Sequence, residues 1–352
     1  MNRVERVITA LNGGIPDKVP YMYNTVMQNV QEAIVEHPIT VPTYTGMNST
    51  GWLGSYEETP EVIPALTCAP EVAEKLNLDA FSIQILPPLF VNWVQGKGEA
   101  FVKSGLIDCQ ETFRKCKAAM PDPDDEKLMR RLEEMIRMYK GEFALGARIR
   151  LGASPTLLSV GLENIAEFMA EEDETLEQTI EMYTDWTGRL CKNLCELDFD
   201  FFWTFDDIAF TSNMMISPSM FRNYFKEPMA AAAKNITKPL IYHSDGNYSA
   251  VLDDIIDIGA NAIHPIERKS MDSRWLVENY GKKLCMVGNV DIDHILYDAT
   301  EEEVEAEVKS CIDLFGPGGG YIICDSNSIP AFCSAKNIMA MANAVEKYRY
   351  IY

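Results

Sequence analysis

The sequence predicts an α/β protein whose fold is a single (β/α)8 TIM barrel with extra segments after the first strands. Eight short apolar runs typical of buried strands recur along the chain, and stretches with helical signals separate them. The chain has 352 residues, of which 47% are hydrophobic. A chain of this length commonly folds as two or three domains, but a barrel can take it up as one. We therefore expect residues 1–352 to form one domain.

The predicted strands alternate with helices along the whole chain. In order, the apolar runs are 19–24, 80–85, 142–148, 198–207, 239–246, 260–267, 283–291 and 320–327. A helix that ends in glycines is predicted before the first run, in MNRVERVITALNGG. Nearly continuous apolar strands that alternate with helices are typical of a parallel sheet covered by helices, and about eight such units predict a closed barrel.

Several helices carry signals for where they begin. Three helices are predicted to have a proline in the first position: Pro60, Pro70 and Pro218. Thr300 followed by Glu303 is the pattern of a capping box, which would open an acidic helix running toward Ile312. These signals place helices between the predicted strands.

Two segments do not belong to a minimal barrel. Residues 30–60 follow the first strand and are rich in glycine, proline, threonine and aromatic residues. Residues 86–118 follow the second strand and have the pattern of a small hairpin. Both come after the carboxyl ends of strands, where barrel enzymes build lids and pockets. We therefore expect a lid or excursion around residues 30–118.

Composition disfavours several classes of partner. Lysine and arginine number 31 against 53 aspartate and glutamate residues, and the formal charge of −22 disfavours nucleic acid and anionic membrane surfaces. The nine cysteines are scattered, with no C-x-x-C pair, which is typical of reduced thiols in a cytoplasmic protein. No apolar run is long enough to span a membrane. The cytoplasm is the expected location, and the sequence does not indicate an oligomeric state.

Polar side chains cluster where the predicted strands end. They are Asn24, Asp206, Asp207, His243, Asp245, Asn247, His264, Glu267, Asn289, Asp291, Asp325 and Asn327. The carboxyl ends of barrel strands surround one mouth, so these side chains can converge on one pocket. Polar turn residues also follow many strands that have no function, and it is the shared mouth that makes this set a candidate site.

The fourth run ends in two adjacent carboxylates, Asp206 and Asp207. Neighbouring residues on a strand point to opposite faces, so only one of them can face the mouth. We favour Asp207 for that position, with Asp206 capping the following turn. The alternative is that both are ordinary loop acids.

The fifth run brings a histidine and a carboxylate together. His243 and Asp245 are two residues apart and share a face if the strand continues. Such a pair can ligate a metal or share a proton. The alternative is a histidine hydrogen-bonded into the barrel rim beside a turn-forming Asp-Gly. The functional interpretation is strengthened because the chain has only four histidines and His264 ends the next strand.

A co-linear series of segments resembles one known family. The segments are RVITALNGGIPDKVPY, DDIAF followed by ISPSMFRNYFKEPM, HSDGN with IDIGANAIHPIE, GNVD, and GPGGGYIICDSNSIP followed by NIMAM. Together they are similar to the uroporphyrinogen decarboxylase superfamily over nearly the whole chain. The resemblance implies a (β/α)8 barrel with its site at the mouth, in either a true decarboxylase or a zinc-dependent methyltransferase that works with a corrinoid protein.

The methyltransferase branch of that superfamily resembles this sequence better. True decarboxylases carry an arginine-bearing segment, M-R-Q-A-G-R, just after the first strand, where it holds the substrate carboxylates. This sequence has YMYNTVMQN there, without arginine. Without these cations, binding of a highly anionic tetrapyrrole to so acidic a protein is disfavoured by charge repulsion.

The resemblance also implies a set of zinc ligands. Methanogenic members that methylate coenzyme M use H-x-C and a later cysteine, whereas this sequence has His243, Asp245 and Asn327 at those places. The first methyltransferases of O-demethylase systems use two carboxylates and a histidine; Asp207 matches the first of these, and Arg222 stands at the second. The implied metal ligands are Asp207, His243, Asp245 and Glu267. A site without metal is the alternative.

The expected activity is that of a corrinoid-dependent methyltransferase. It would move a methyl group between a small methylated compound, such as a methoxyaromatic O-demethylase substrate, and the cobalt of a corrinoid carried by a separate protein. Phenolate is a poor leaving group, so the ether oxygen needs a metal or an acid beside it. Asp207, His243 and Asp245 would be the catalytic residues that hold zinc or a proton there. The residues expected to bind the substrate are Tyr21, Tyr23, Asn24, Trp52, Asp206, His264, Glu267 and Asn289.

Two other classes of function stay open. The same mouth carboxylates could serve a lyase that decarboxylates a uroporphyrinogen-like or another carboxylate substrate, with Arg148 and Arg222 as the obvious cations. A barrel that lost its metal ligands could instead bind a small molecule without catalysis. The sequence names neither the substrate nor the direction of methyl transfer.

Overall fold

The computed structural model describes residues 1–43, 52–53, 56–57, 59–95 and 100–352. For six of these residues it describes the backbone alone. They are Trp52, Leu53, Trp93, Gln95, Ala100 and Phe101.

Strands and helices alternate along most of the chain. The strands are β1 Trp52–Leu53, β2 Ala65–Leu66, β3 Ala80–Gln84, β4 Leu89–Gln95, β5 Ala100–Gly105, β6 Ala144–Ile149, β7 Phe201–Phe205, β8 Leu240–His243, β9 Ala262–His264, β10 Cys285–Val290 and β11 Tyr321–Asp325. The helices are α1 Arg3–Leu11, α2 Gln28–Val35, α3 Pro70–Lys75, α4 Gln110–Ala118, α5 Glu126–Tyr139, α6 Ala153–Val160, α7 Leu162–Glu171, α8 Thr175–Glu196, α9 Pro218–Met220, α10 Lys226–Ala233, α11 Leu252–Ile258, α12 Ser273–Tyr280, α13 Glu301–Phe315 and α14 Ala335–Tyr348. A π-helical turn, Phe221–Phe225, joins α9 to α10, and a 3-10 turn, Ser249–Val251, precedes α11.

Seven parallel strands and the segment 20–22 close into a barrel. In the large sheet the strand order is β11–β10–β9–β8–β7–β6–β3–β2, and every neighbouring pair is parallel except β2 with β3. Residues 20–22 close the gap between β11 and β3, because Tyr21 forms a parallel bridge to Ile323 and Met22 forms one to Ala80. The predicted (β/α)8 barrel is thereby confirmed: seven of the eight predicted runs coincide with its strands, and the first run, 19–24, contains the bridging residues Tyr21 and Met22.

The barrel has an inner and an outer core, because side chains on a strand point alternately inward and outward. The inner cluster consists of Met22, Ala80, Ala144, Phe201, Trp203, Ile241, Ala262, Cys285, Val287, Ile322 and Cys324. Val7, Ala10 and Leu11 of α1 pack against this cluster, so α1 closes the end of the barrel where the strands begin. A larger cluster fills the space between the strands and the outer helices. The mouth at the carboxyl ends of the strands is left for a site.

Three of the predicted helix starts are confirmed. α3 begins at Pro70, and α9 begins at Pro218. At the start of α13 the hydroxyl of Thr300 accepts a hydrogen bond from the backbone N–H of Glu303 at 3.3 Å, and the Glu303 carboxylate accepts one from the backbone N–H of Thr300 at 2.8 Å. The predicted capping box is therefore present.

The helix predicted to begin at Pro60 is wrong. Residues 59–64 are not helical and lead into β2. Pro64 accounts for this, because a proline at that position lacks the N–H that would bond to the carbonyl of residue 60 in a helix.

The two extra segments are described to different extents. β4 and β5 form an antiparallel hairpin, with β1 paired in parallel to β4, so the hairpin predicted within 86–118 is confirmed. The predicted lid, 30–60, begins inside α2, and its residues 44–51, 54–55 and 58 lie outside the described residues. Across the described ranges, each helix is too short or too polar to span a lipid bilayer.

Candidate active site

Neighbouring strands bring aromatic and polar residues to one height at the mouth. The parallel register sets Phe205 of β7 beside His243 of β8, and His243 beside His264 of β9. Register partners on parallel strands share a face, so all three side chains belong to the barrel interior. Asp207 lies two residues after Phe205 in the chain, and Asp245 lies two residues after His243. The mouth therefore combines a pair of histidines with carboxylates just above them.

His243, Asp207 and Asp245 form the candidate centre. Nε2 of His243 lies 3.4 Å from Oδ1 of Asp207 and 3.5 Å from Oδ1 of Asp245. The His243 side chain is buried, whereas the side chains of Asp207 and Asp245 are 32% and 35% exposed. The three groups thus surround one point that a ligand can reach from the mouth.

Neighbouring rings fix the orientation of His243. Phe205 stacks on it, with ring centroids 3.9 Å apart and an interplanar angle of 7°. Nδ1 of His243 lies 2.6 Å from Nδ1 of His264, and Nε2 of His264 lies 3.2 Å from the backbone carbonyl oxygen of Asp325. Burial lowers the pKa of His264 well below its usual value. Nε2 of His243 is thereby directed at the two carboxylates.

The carboxylates of the candidate centre are also held in place. Oδ1 of Asp207 accepts a hydrogen bond from the backbone N–H of Asp245 at 3.0 Å, and Oδ2 of Asp245 accepts one from Nδ2 of Asn327 at 2.8 Å. Nε2 of His243 and Oδ1 of Asp245 are buried and have no hydrogen-bond partner in the described part of the chain. Buried polar atoms are rarely left unsatisfied, so the arrangement indicates a missing partner at their common point.

The two carboxylates differ in how they titrate. Burial, followed by the negative charge of Asp207, raises the pKa of Asp245 to about 7. Burial also acts to raise the pKa of Asp207, but the neighbouring His243 and the backbone N–H of Asp245 outweigh it, and the pKa of Asp207 is lowered. A cation placed between the two groups would favour the charged form of both.

The donor set of the candidate centre fits zinc. Catalytic zinc commonly takes three protein ligands of the imidazole-nitrogen and carboxylate-oxygen type and keeps a further position open. Here one imidazole nitrogen and two carboxylate oxygens lie within 4.8 Å of one another. A zinc ion at their common point would satisfy both unpartnered atoms.

A second group of polar residues lies deeper in the barrel. His264, Cys324 and Asp325 are fully buried, and their possible ligand atoms also lie within 4.8 Å of one another. Oδ1 of Asp325 accepts hydrogen bonds from the backbone N–H of Asn24 at 2.9 Å and from the Cys324 thiol at 3.0 Å. Asn24 is buried as well. Asn24 and His264, both predicted to bind substrate, therefore contact neighbouring strand ends rather than the open mouth.

The prediction that Asp206 binds substrate is corrected, because its carboxylate stabilises the fold. Four donors surround its buried carboxylate: the Thr204 hydroxyl and the backbone N–H groups of Leu151, Gly152 and Ser154. These N–H groups lie at the start of α6, so Asp206 caps that helix. Its oxygens are already in use, and Asp207 is the member of the pair that faces the candidate centre.

The prediction that Tyr21 and Tyr23 pack against the substrate is also corrected. The Tyr21 and Tyr23 hydroxyls lie 2.6 Å apart, and the Tyr23 hydroxyl donates to Sδ of Met341 in α14 at 3.2 Å. Both tyrosines belong to the outer core, because Met22 between them faces the barrel interior. The side chain of Trp52, the third predicted aromatic contact, lies outside the described residues.

Glu267 and Asn289 lie to one side of the candidate centre. Oε2 of Glu267 accepts hydrogen bonds from the backbone N–H of Gly246 at 3.2 Å and from the Ser270 hydroxyl at 2.8 Å. Glu267 and Asn289 line a small cavity of about 160 Å³ together with Asn327. Glu267 therefore holds the loop after β8, and the group of three ligands forms without it.

The two arginines considered from the sequence lie in different places. Arg222 donates from Nε to the Asp254 carboxylate at 2.8 Å among the outer helices, so it is not near the candidate centre. Arg148 is buried at the mouth, where its guanidinium lies 3.5 Å from the ring centre of Phe205 and donates to the Thr25 hydroxyl.

One residue that orients the site was not singled out from the sequence. Phe205 supports the ring of His243, and it could have been found because it ends β7 two residues before Asp207. Asn327, one of the polar residues predicted at the mouth, orients Asp245. The sequence does not show that these two side chains are hydrogen-bonded, because β11 ends far from β8 along the chain.

These residues define a (β/α)8 barrel with a His–Asp–Asp centre at its mouth. The model of the uroporphyrinogen decarboxylase (URO-D) family matches residues 95–348. The chain therefore belongs to the URO-D family, and the resemblance found in the sequence is confirmed.

Two solved structures resemble the chain to different extents. A methyltransferase from Methanosarcina mazei is 16% identical, with 99% of each chain aligned and a TM-score of 0.67. A B12-independent methionine synthase from Shewanella sp. W3-18-1, in complex with selenomethionine, is 10% identical over 77% of this chain and 70% of its own, with a TM-score of 0.41. No curated protein sequence matches the chain significantly. At 16% identity the first likeness shows the fold alone.

Proposed function

We propose that this protein is a zinc-dependent methyltransferase. It would transfer a methyl group between a small methylated compound, such as a methoxyaromatic ether, and the cobalt of a corrinoid held by a separate protein. One observation carries the proposal: Nε2 of His243 and Oδ1 of Asp245 are buried, lack hydrogen-bond partners among the described residues, and face the carboxylate of Asp207. Membership of the URO-D family and the likeness to the Methanosarcina mazei methyltransferase support this choice of reaction.

The three residues of the candidate centre would divide the work. His243 would be the buried ligand, and Asp207 and Asp245 would complete the set from the rim. Bound zinc would supply Lewis-acid stabilisation at the oxygen that loses its methyl group. The partly exposed faces of Asp207 and Asp245 leave room for that oxygen on the mouth side.

The reaction balances without a further reagent. In the demethylating direction the C–O bond breaks, its electron pair stays on the ether oxygen, and the methyl carbon bonds to Co(I). The corrinoid must therefore approach from outside the mouth, on the side of the substrate away from His243. The buried position of His243 keeps it from contacting the corrinoid directly.

A decarboxylase is the second interpretation, and it is less well supported. It would need cations for the carboxylates of its substrate, and residues 21–29 contain none. Arg222 is paired among the outer helices, whereas Arg148 and Arg150 are buried near the mouth and are the cations that favour this alternative.

Metal content tests the candidate centre. We expect protein purified without chelators to contain stoichiometric zinc, and His243→Ala to lose it because the nitrogen donor is gone. His294→Ala is the matched control, since His294 is exposed and pairs with Asp298. Wild-type protein that binds no metal even after incubation with zinc would overturn the proposal.

Methyl transfer to a corrinoid tests the reaction. The wild-type protein is mixed with Co(I) cobalamin and a panel of methoxyaromatic compounds, and formation of methyl-Co(III) is followed by absorbance. We expect at least one donor to react and His243→Ala to be inactive with it. Zinc-loaded protein that leaves Co(I) unchanged with every donor, but releases carbon dioxide from a tetrapyrrole carboxylate, would favour the decarboxylase.

A further inference from the structure

Two buried imidazoles form a short hydrogen-bonded chain beneath the candidate centre. Nδ1 of His243 lies 2.6 Å from Nδ1 of His264, and Nε2 of His264 lies 3.2 Å from the backbone carbonyl oxygen of Asp325. Both side chains are fully buried, and the two rings are inclined by 26°. Two nitrogens this close require a proton between them, because two facing lone pairs would repel each other.

The backbone carbonyl determines the direction of the chain. A carbonyl oxygen only accepts hydrogen bonds, so Nε2 of His264 must carry the hydrogen that lies toward Asp325. A neutral imidazole has one N–H, which leaves Nδ1 of His264 as an acceptor. His243 must then carry its own hydrogen on Nδ1 and donate it to His264.

The neutral form of His264 suits its surroundings. The ring lies inside the barrel and packs edge-on against Trp203, with ring centroids 5.0 Å apart and an interplanar angle of 81°. Its nitrogens contact a carbonyl, a second imidazole and, at 3.6 Å, the thiol of Cys324. Burial and the nearby guanidinium of Arg148 both disfavour a positive charge on this ring.

The consequence reaches the candidate centre. With its hydrogen on Nδ1 and none on Nε2, His243 offers a lone pair at Nε2, the atom that faces Asp207 and Asp245 at 3.4 and 3.5 Å. In the opposite tautomer Nε2 would carry the hydrogen and donate it to a carboxylate, and no metal could bind there. Metal-binding histidines generally donate their other N–H to an acceptor that sets the tautomer.

We propose that His264 is the positioning residue that holds His243 in the Nδ1–H tautomer and so prepares Nε2 for a metal ion. The role in metal binding rests on the proposed zinc centre. The position of the hydrogen on His243 does not, because it can be measured in the metal-free protein. His264 thereby has a role other than the substrate contact predicted from the sequence.

Substitutions at His264 separate this role from simple packing. His264→Gln keeps both functions, because its amide oxygen can accept from Nδ1 of His243 while its NH2 donates to Asp325. His264→Leu has a similar volume but accepts no hydrogen bond. We expect zinc affinity, measured by competition with a chelating dye, to fall about 10- to 100-fold in His264→Leu and to be largely retained in His264→Gln.

The decisive measurement is the tautomer in the metal-free full-length chain. The protein is labelled with 15N-histidine, and couplings between ring nitrogens and carbon-bound protons show which nitrogen carries hydrogen. The chain has only four histidines, so the His243 signals can be assigned by single substitutions. We expect Nδ1–H in the wild type and in His264→Gln, and Nε2–H in His264→Leu.

Each outcome of that measurement decides the inference. A wild-type His243 with its hydrogen on Nε2 overturns it, and this result does not depend on whether any variant folds. An unchanged tautomer in a folded His264→Leu overturns it as well. If the tautomer is as expected but the protein binds no zinc, the proposed function fails while the positioning role of His264 stands.

Discussion

The closed end and the mouth of the barrel both bury charged side chains, but they pair them differently. At the closed end, Nη1 of Arg6 lies 2.6 Å from Oδ1 of Asp79, and Nε of Arg6 lies 2.8 Å from Oδ1 of Asp17. The buried guanidinium of Arg349 donates to the other oxygen of Asp79. Two cations thus face two anions, and both oxygens of Asp79 have partners.

At the mouth the polar groups are not all paired in this way. Asp207 and Asp245 lie around one imidazole, and two of the three atoms that face one another have no hydrogen-bond partner among the described residues. Charges that satisfy each other, as at the closed end, hold the chain ends to the barrel. Under the proposed function, donor atoms that converge without partners would hold a ligand, in line with the usual division of a TIM barrel into a stability face and an active-site face.

The largest effect on stability is expected at the closed end. Asp79→Ala removes the shared partner of Arg6 and Arg349 and leaves two buried guanidinium groups without it. Breaking a buried ion pair from one side costs about 3–5 kcal/mol. We expect the free energy of unfolding in urea to fall by about that amount. The folded fraction should have the same zinc content as the wild type, because Asp79 lies at the opposite end from the mouth.

An exposed ion pair supplies the control for Asp79→Ala. Asp313 pairs with Lys309 along α13, and its side chain is 59% exposed. Asp313→Ala should therefore change the free energy of unfolding by less than about 1 kcal/mol. Equal losses in the two variants would show that the closed end is not a special source of stability.

The adjacent residues Asp206 and Asp207 test the same contrast between a residue that stabilises the fold and a residue of the candidate centre. Asp207→Asn should lower the rate of methyl transfer by about 10²–10³-fold, the usual effect of removing one electrostatic group from an active site. Its free energy of unfolding should change by no more than about 0.5 kcal/mol. The measurements are the transfer rate to Co(I) and urea unfolding of the same preparations.

Asp206→Asn is the matched variant and should show the reverse pattern. Its new NH2 group would face donors at the start of α6, at a cost of about 1–3 kcal/mol in the free energy of unfolding. Zinc content should stay at the wild-type value. A variant of Asp206 that loses zinc but not stability would contradict the division of roles between the two acids.

The sequence predicts the barrel well because buried parallel strands are nearly continuous apolar runs. Seven of the eight runs coincide with strands, and the first run contains the short segment 20–22, which completes the barrel through isolated bridges. The helix expected at Pro60 failed for a local reason, namely the second proline at position 64. The prediction of strands thus rests on a pattern repeated over several residues, whereas a prediction from a single helix-start residue can be wrong because of one neighbouring residue.

The candidate site is predicted less completely. Asp207, His243 and Asp245 emerge because parallel strands bring their carboxyl ends to one mouth. Tyr23 and Asn24 could not both face inward, since adjacent strand residues alternate, and the sequence does not say which of the two phases the barrel adopts.

The contact between His243 and His264 lies beyond sequence reasoning for a different reason. It depends on the register of β8 against β9, which sets the two residues side by side. Register is set by packing across the whole barrel, so the role of His264 emerges only from the structure.

The smallest expected effect concerns acid stability at the closed end. The hydrogen bond from Arg6, together with the N-terminal amine, lowers the pKa of Asp17 below its usual value. A carboxylate whose pKa is lower in the folded state stabilises the fold above the unfolded pKa, near 4, and loses that contribution as the pH falls through its folded pKa. The free energy of unfolding of the wild type should therefore exceed that of Asp17→Asn at neutral pH, and the difference should shrink on acidification. Because the Asp17 side chain is 38% exposed, solvent and salt screen the interaction and keep the difference small. Urea unfolding of both proteins across the acidic range measures it, and a difference that grows toward low pH would show that the charge of Asp17 does not support the closed end.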